Sequence, residues 1–233
     1  MDAGIRRGRA LKQHVLAILQ GDDAELRFAE LSKLRARQAI NPLLSFLLHE
    51  SETVRWRAVG AIGHVIAGLA DEDMESARVI MRRLMWSLND ESGGIGWGVP
   101  EAMAEIMARH QRLAEEFAPI IVSYLNTGGN FIEYEMLQRG LLWGVARLAA
   151  VRPDLLREAA EHLDKYLYSE DAPVRGFAAA ASGLLGARQT RDRLRELLQD
   201  ESRVTVYAGD TFVERTVGQL AQQSLTQMER NPS

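Results

Sequence analysis

The sequence predicts an all-α chain of stacked two-helix repeats, an α-α superhelix, with one small β-hairpin inserted near residues 203–213. Three observations carry this prediction. Apolar residues recur at three- and four-residue spacing along nearly all of the 233 residues, the period of a helix with one buried face. Only six prolines interrupt that pattern, and strand-type alternation is confined to one short segment. A helix–turn–helix pattern with small residues in its second half occurs at Ile40–Gly63 and again at Leu163–Gly183. Internal repetition at this scale is the mark of a solenoid, in which each unit buries its apolar face against its neighbours.

About six helix pairs account for the chain. A first pair, at about 6–20 and 22–37, is expected to cap the stack. In the next copy (39–70), Leu43, Leu44, Leu47 and Leu48 form the inner face of a helix that ends at the polar turn Glu50-Ser51. A second helix opens on Val54-Arg55 and carries Ala58, Ala61 and Ile62. The copy at 153–186 repeats these features with Val174-Arg175, Ala178 and Ala181. Small side chains at these places let two helices approach closely. The valine is expected to enter the core, and the arginine to bridge to an acidic group in a neighbouring turn. In the copy at 73–110, Ala77, Ile80, Met81, Leu84 and Leu88 form the core stripe of the first helix. Trp86 lies on another flank with Val79, Arg82 and Arg83; it reads as packing on an adjoining repeat, and Trp56 reads the same way. A further copy spans 112–149. The last, 187–230, holds the alternating run Arg203–Arg215 around Ala208-Gly209-Asp210, a hairpin pattern expected to cover the end of the stack.

The two quoted copies resemble the HEAT repeat, specifically the short bacterial type named after phycobilisome lyases, and weaker copies extend the resemblance over most of the chain. Second-helix starts align at Val54, Val99, Leu137, Val174 and Val213, with separations of 45, 38, 37 and 39 residues, which suit units of about 40 residues. The resemblance implies one domain, 1–233, whose second helices line a concave surface.

Composition narrows the function. Lys plus Arg number 28 against 32 Asp plus Glu, a net charge of -4. A protein that grips phosphates carries a basic excess, so the balance argues against nucleic acid as partner. The absence of cysteine removes disulfides, thiolate metal sites and cysteine nucleophiles, and fits a reducing cytoplasm. Arg6, Arg7 and Arg9 precede a stretch containing Lys12, Gln13 and His14, too polar for a signal-peptide core. No run reaches the roughly 18 apolar residues of a membrane span.

Comparison of the copies with each other locates the candidate site. Two of them abandon the Val-Arg turn. One reads Asn89-Asp-Glu91-Ser-Gly93-Gly94-Ile-Gly96-Trp97-Gly98-Val-Pro100, followed by Glu101 and Glu105. The glycines there permit left-handed angles and close approaches, and Pro100 suits the first turn of a helix. A Gly-rich turn before a helix can cradle phosphate. However, Asp90, Glu91, Glu101 and Glu105 surround this one, with no Lys or Arg between Arg83 and Arg109. The other irregular copy carries Gly128-Gly129-Asn130, then Glu133, Tyr134, Glu135, Arg139 and Trp143. Glu135 and Arg139 are spaced to pair along one helix face. Glu101 and Glu105 are like charges at the same spacing, which calls for a cation, either Arg139 or an external group. If second helices line the concave face, then Trp97, Glu101, Glu105, Glu133, Tyr134, Glu135, Arg139 and Trp143 converge at its middle. Aromatic rings with carboxylates suit an arginine, a lysine or a small cationic ligand.

Other chemistry has little support. The histidines lack a two-histidine helical metal spacing, and one His-Glu step (His49-Glu50) is too few for the iron hydroxylases built on HEAT-like repeats. No serine sits in a nucleophile-elbow motif. The sequence therefore reads as a non-catalytic interaction module without cofactor or metal, binding a protein or peptide segment. The alternative is an enzyme on a HEAT-like scaffold, DNA glycosylase-like or bilin lyase-like. The former's groove must grip phosphates, and the latter would follow from a family name alone.

Overall fold

A computed structural model describes residues 2–88 and 96–230, with side chains from Gly8 onward. It is helical throughout apart from one hairpin, and it divides into two compact units, Met1–His110 and Gln111–Ser233.

The first unit contains α1 (Asp2–Gln20), α2 (Ala24–Ser32), α3 (Ala36–Phe46), α4 (Glu52–Glu72), α5 (Met74–Leu88) and α6 (Val99–Arg109). α4 packs against α3, α5 and α6. The second contains α7 (Gln111–Leu125), α8 (Glu135–Ala149), two 3₁₀ segments (Pro153–His162 and Asp164–Tyr168), α9 (Ala172–Leu185), α10 (Arg191–Glu196), β1 (Arg203–Ala208), β2 (Thr211–Thr216) and α11 (Val217–Arg230). Here α9 packs between α8 and α11, so second helices stack on second helices, as the repeat pattern predicts. Among the described residues no helix is long and apolar enough to cross a membrane.

The aligned positions show why the pattern folds this way. Val54, Leu137 and Val174 are buried, each the third residue of its helix, and Val99 is buried at the first. The Val54 and Val174 amides donate to side-chain caps, Ser51 Oγ and Asp171 Oδ1 (3.0 Å for the latter), satisfying N–H groups that a helix start leaves open. The following arginine ties the turn behind it. Arg55 donates to the His49 and Glu50 carbonyls, and Arg175 to those of Ser169 and Glu170. Arg175 also reaches Asp200 of the next turn at 2.8 Å, the acidic bridge expected from the sequence. Burial pushes the Asp200 carboxyl up, but hydrogen bonds from Ser202 and Arg175 outweigh it and hold the group below the usual range.

Three expectations need correction. Val213 does not open the last second helix: it lies in β2, and the buried residue at the start of α11 is Val217. Strand alternation overrides the repeat spacing there. The first helix of the 153–186 copy is wound as 3₁₀ segments, with a break at Leu156 (φ -121°). Trp86 is 78% exposed rather than packed, because the α5 core stripe runs through Ala77, Ile80, Met81 and Leu84 and leaves its flank outward.

The hairpin closes through a two-residue turn in which Gly209 and Asp210 both have positive φ (57° and 70°), as a type I′ turn requires. It does not stand off the end of the stack. Val204, 1% exposed, packs back against Gly176 of α9, where an added Cβ would lie 2.8 Å from Val204 Cγ2.

Asp171 joins two copies. Its side chain caps α9 and also accepts from Arg139 of α8, with Nε at 2.8 Å. Asp171→Ala is expected to remove about 2–3 kcal/mol in urea denaturation, from the lost cap and a part-buried ion pair. Asp171→Asn, which keeps a cap acceptor, should lose about half as much. Equal losses in the two variants would show that the Arg139 contact contributes nothing.

Candidate functional site

The two irregular copies differ from the others in one structural respect: neither α6 nor α8 has a side-chain N-cap. Gly98 stands at the cap of α6 with φ 71°, and Tyr134 at that of α8. Gly98 is fixed by conformation and by space, since a Cβ there would also lie 3.1 Å from Leu47 Cδ2. A polar capping side chain is therefore excluded from this turn by its backbone. Pro100 sits in the first turn of α6, as predicted. Asn89, Glu91, Gly93 and Gly94 lie outside the described residues; Gly96 is buried and Trp97 is half-buried.

The carboxylates of α6 separate into two kinds. Glu105 is buried and bonds Arg109 Nε at 2.7 Å along its own helix. Its Cγ would lie 2.6 Å from a Cβ at Gly63 of α4. The cation it needs is thus four residues further on, and Glu105 belongs to the α4–α6 contact rather than to a binding surface. Glu101 is different. The residue keeps some exposure, but its Oε2 is sealed from solvent and has no hydrogen-bond partner among the described residues. Burial pushes its carboxyl up to about 7, opposed only by a bond to its own backbone. An unmatched buried carboxylate is unfavourable enough that it normally finds a donor or stays protonated.

In the second unit, Glu133, Tyr134 and Glu135 are exposed just before and at the start of α8, with Met136 beside them. Gln138 Nε2 folds back to the Ile132 carbonyl at 2.9 Å and steadies this segment. Arg139 turns to Asp171, not to Glu135; the buried N-cap offers it a fixed carboxylate, which a surface pair along the helix cannot match. Trp143 is 6% exposed, with Nε1–H donating to the Tyr207 carbonyl at 3.2 Å. It is a core residue although it lies off the Leu137–Leu141–Leu148 stripe of α8, on a flank that the hairpin reaches through Tyr207. Of the eight predicted residues, Glu105, Arg139 and Trp143 are engaged within the fold, Trp97 and Glu101 are half-buried in the first unit, and Glu133, Tyr134 and Glu135 are exposed in the second.

One cationic feature had no sequence signal. Lys165 Nζ lies 4.0 Å from the Phe131 ring centroid and donates to the Leu125 carbonyl at 2.7 Å. Partial burial lowers its pKa. These partners lie 34 and 40 residues away in the chain, and no local spacing announces them. Among the described residues, no group of three or more His, Asp or Glu is arranged to hold a metal.

No family model matches the sequence. An uncharacterized protein of Archaeoglobus fulgidus is 28% identical over 179 residues, covering 76% of this chain and 91% of its own. Among solved structures, the chain is similar to an engineered protein (TM-score 0.54, 16% identity, 95% of this chain and 97% of that one). It is also similar to a designed armadillo repeat protein (TM-score 0.51, 20% identity, 94% and 99%). A second designed armadillo repeat protein, in complex with peptide (KR)4, gives TM-score 0.51 at 19% identity over 94% and 99%. These likenesses establish the fold as a helical-repeat solenoid.

Proposed function

We propose that the chain is a non-catalytic interaction module of HEAT type, cytoplasmic in setting, that binds a protein segment through a cationic side chain at the start of α6. The observation that carries this reading is the Glu101 carboxylate, buried at Oε2 without a donor among the described residues. An arginine or lysine of a partner, approaching from the side on which the residue keeps exposure, would supply the missing countercharge. Trp97, half-buried four residues before it, offers an aromatic surface of the kind cations favour. On the second unit, the exposed Glu133, Tyr134 and Glu135 would offer a separate acidic and aromatic surface for a basic segment. That a solenoid of the same fold is known in complex with peptide (KR)4 supports the class of ligand. HEAT-type descent, with the bacterial phycobilisome-lyase variety as the pattern it resembles, rests on the repeat spacing alone.

Binding of a labelled (KR)4 peptide, followed by fluorescence anisotropy, tests the proposal. Glu101→Gln should weaken it at least tenfold, about 1.4 kcal/mol. Wild-type binding should tighten as pH rises from 6 to 8, since the cation selects the ionised carboxylate of a group titrating at about 7. Equal affinities for the two proteins would remove Glu101 from the site and sink the reading.

A further inference from the structure

The fold leaves the α5 flank that carries Trp86 uncovered. Val79, Arg82, Arg83 and Trp86 follow one another at helical spacing and so form one stripe along α5. Val79 and Trp86 are 53% and 78% exposed. Between them, Arg83 donates to the side-chain amide oxygen of Asn41 at 2.6 Å, a neutral partner, and meets no carboxylate among the described residues. Arg82 is paired with Glu75 at 2.5 Å, an exposed contact of the kind that contributes little. An exposed tryptophan beside arginines is the composition of a contact centre, where these two residue types carry most of the binding energy.

The complement of this stripe is on the same chain. In the second unit Glu133, Tyr134, Glu135 and Met136 are all exposed and present two carboxylates with two largely apolar side chains. Among the described residues neither carboxylate is paired with a cation; Glu135 accepts only from Ser169 Oγ, at 3.4 Å. The Gln138 bond to the Ile132 carbonyl steadies the segment, so docking on it has little left to order. Each patch offers what the other lacks. Guanidinium and carboxylate form directional pairs, and the apolar side chains beside them would shield those pairs from water.

We propose that the protein self-associates through these patches, the α5 stripe of one copy docking on Glu133–Met136 of a second copy. Every chain carries both halves of the contact, so the complementary surface is present wherever the protein is. The acidic half rests on the recognition role proposed for Glu133–Glu135; Glu101 takes no part. The repeat that Trp86 packs on then belongs to another copy.

Sedimentation velocity over a roughly hundredfold range of concentration tests this. The wild type should shift from monomer to larger species, and less so at high salt, which screens exposed charges. Trp86→Ala should weaken association at least tenfold with its helical circular dichroism unchanged. Two charge-reversed chains give the sharper measurement. Arg82→Glu/Arg83→Glu makes both patches acidic, and Glu133→Arg/Glu135→Arg makes both basic, so each chain alone should stay monomeric. Mixed in equal amounts, they present opposite charges to each other at both contacts, and association should return. A wild type that stays monomeric at the highest concentration overturns the proposal, as does a mixture no more associated than its components. No peptide is present in these measurements. Glu101→Gln should therefore associate as the wild type does, and its effect on (KR)4 binding is read separately.

Discussion

Raising the pH from 5 to 8 should destabilise the wild-type protein relative to Glu101→Gln by about 2.5 kcal/mol. The sign follows from the direction in which burial moves the group. It raises the Glu101 carboxyl from 4.5 to about 7, so the folded state holds the proton more tightly than the unfolded chain does. Below about pH 4.5 both states are protonated and the group contributes nothing. Between 4.5 and 7 the folded protein binds more protons than the unfolded one, and stability falls with rising pH. Above 7 the whole penalty is present, about 1.4 kcal/mol for each tenfold difference in proton affinity between the two states. Glutamine keeps the shape and has no proton to lose. His64 acts in the opposite sense: desolvation, then Arg109, lower its pKa, so stability is lost as pH falls and the unfolded chain takes up the proton first. Both proteins contain His64, and the difference between their urea-denaturation curves cancels it. A difference that stays flat from pH 5 to 8 would show that Glu101 finds a donor in solution, and the case for a binding carboxylate would fall with it.

The contrast between Glu101 and Glu105 marks how far the sequence could be read. The repeat pattern, the buried valines, the Val-Arg step and the hairpin were legible because each is local: a period, a cap or a turn is decided within a few residues. The irregularity of two copies was legible too, and both turned out to lack a capping side chain. What the sequence could not assign was which polar group is already satisfied. Glu101 and Glu105 share one helix face, yet one meets Arg109 a turn later while Oε2 of the other meets no donor among the described residues. The Arg139–Asp171 contact spans 32 residues and the Trp143–Tyr207 contact 64, and each is fixed by how successive repeats are laid together. The same limit explains Trp86 and Trp143. Both are tryptophans off the apolar stripe of their helices, but the α5 flank of Trp86 stays exposed while the α8 flank of Trp143 is met by the hairpin. A residue's class suggested recognition chemistry, and the element laid over its flank, distant in the chain, decided whether that chemistry was accessible.

Trp143→Ala is expected to lower stability by about 3–5 kcal/mol, the range for emptying a buried aromatic site whose walls close only in part. The residue is 6% exposed, on a helix whose Leu141, Leu142, Val145 and Leu148 are buried as well. Its indole N–H is paired with the Tyr207 carbonyl, which the truncation would also leave without its donor. Trp143→Phe separates the two effects: it retains most of the buried ring and should lose about 1–2 kcal/mol from the hydrogen bond and the residual cavity. Urea denaturation followed by circular dichroism measures both. The outcome discriminates between two roles for the same side chain. A surface tryptophan that recognises a ligand can be truncated with little loss of stability, usually within about 0.5 kcal/mol, whereas a core tryptophan cannot. A loss below about 1 kcal/mol for the alanine variant would return Trp143 to the recognition surface where the aromatic–carboxylate pattern placed it. A loss in the expected range, with (KR)4 affinity unchanged in Trp143→Phe, would confine recognition of the basic segment to the other candidate residues. The Trp143 indole would then act in the solenoid's packing and in holding a strand by its backbone.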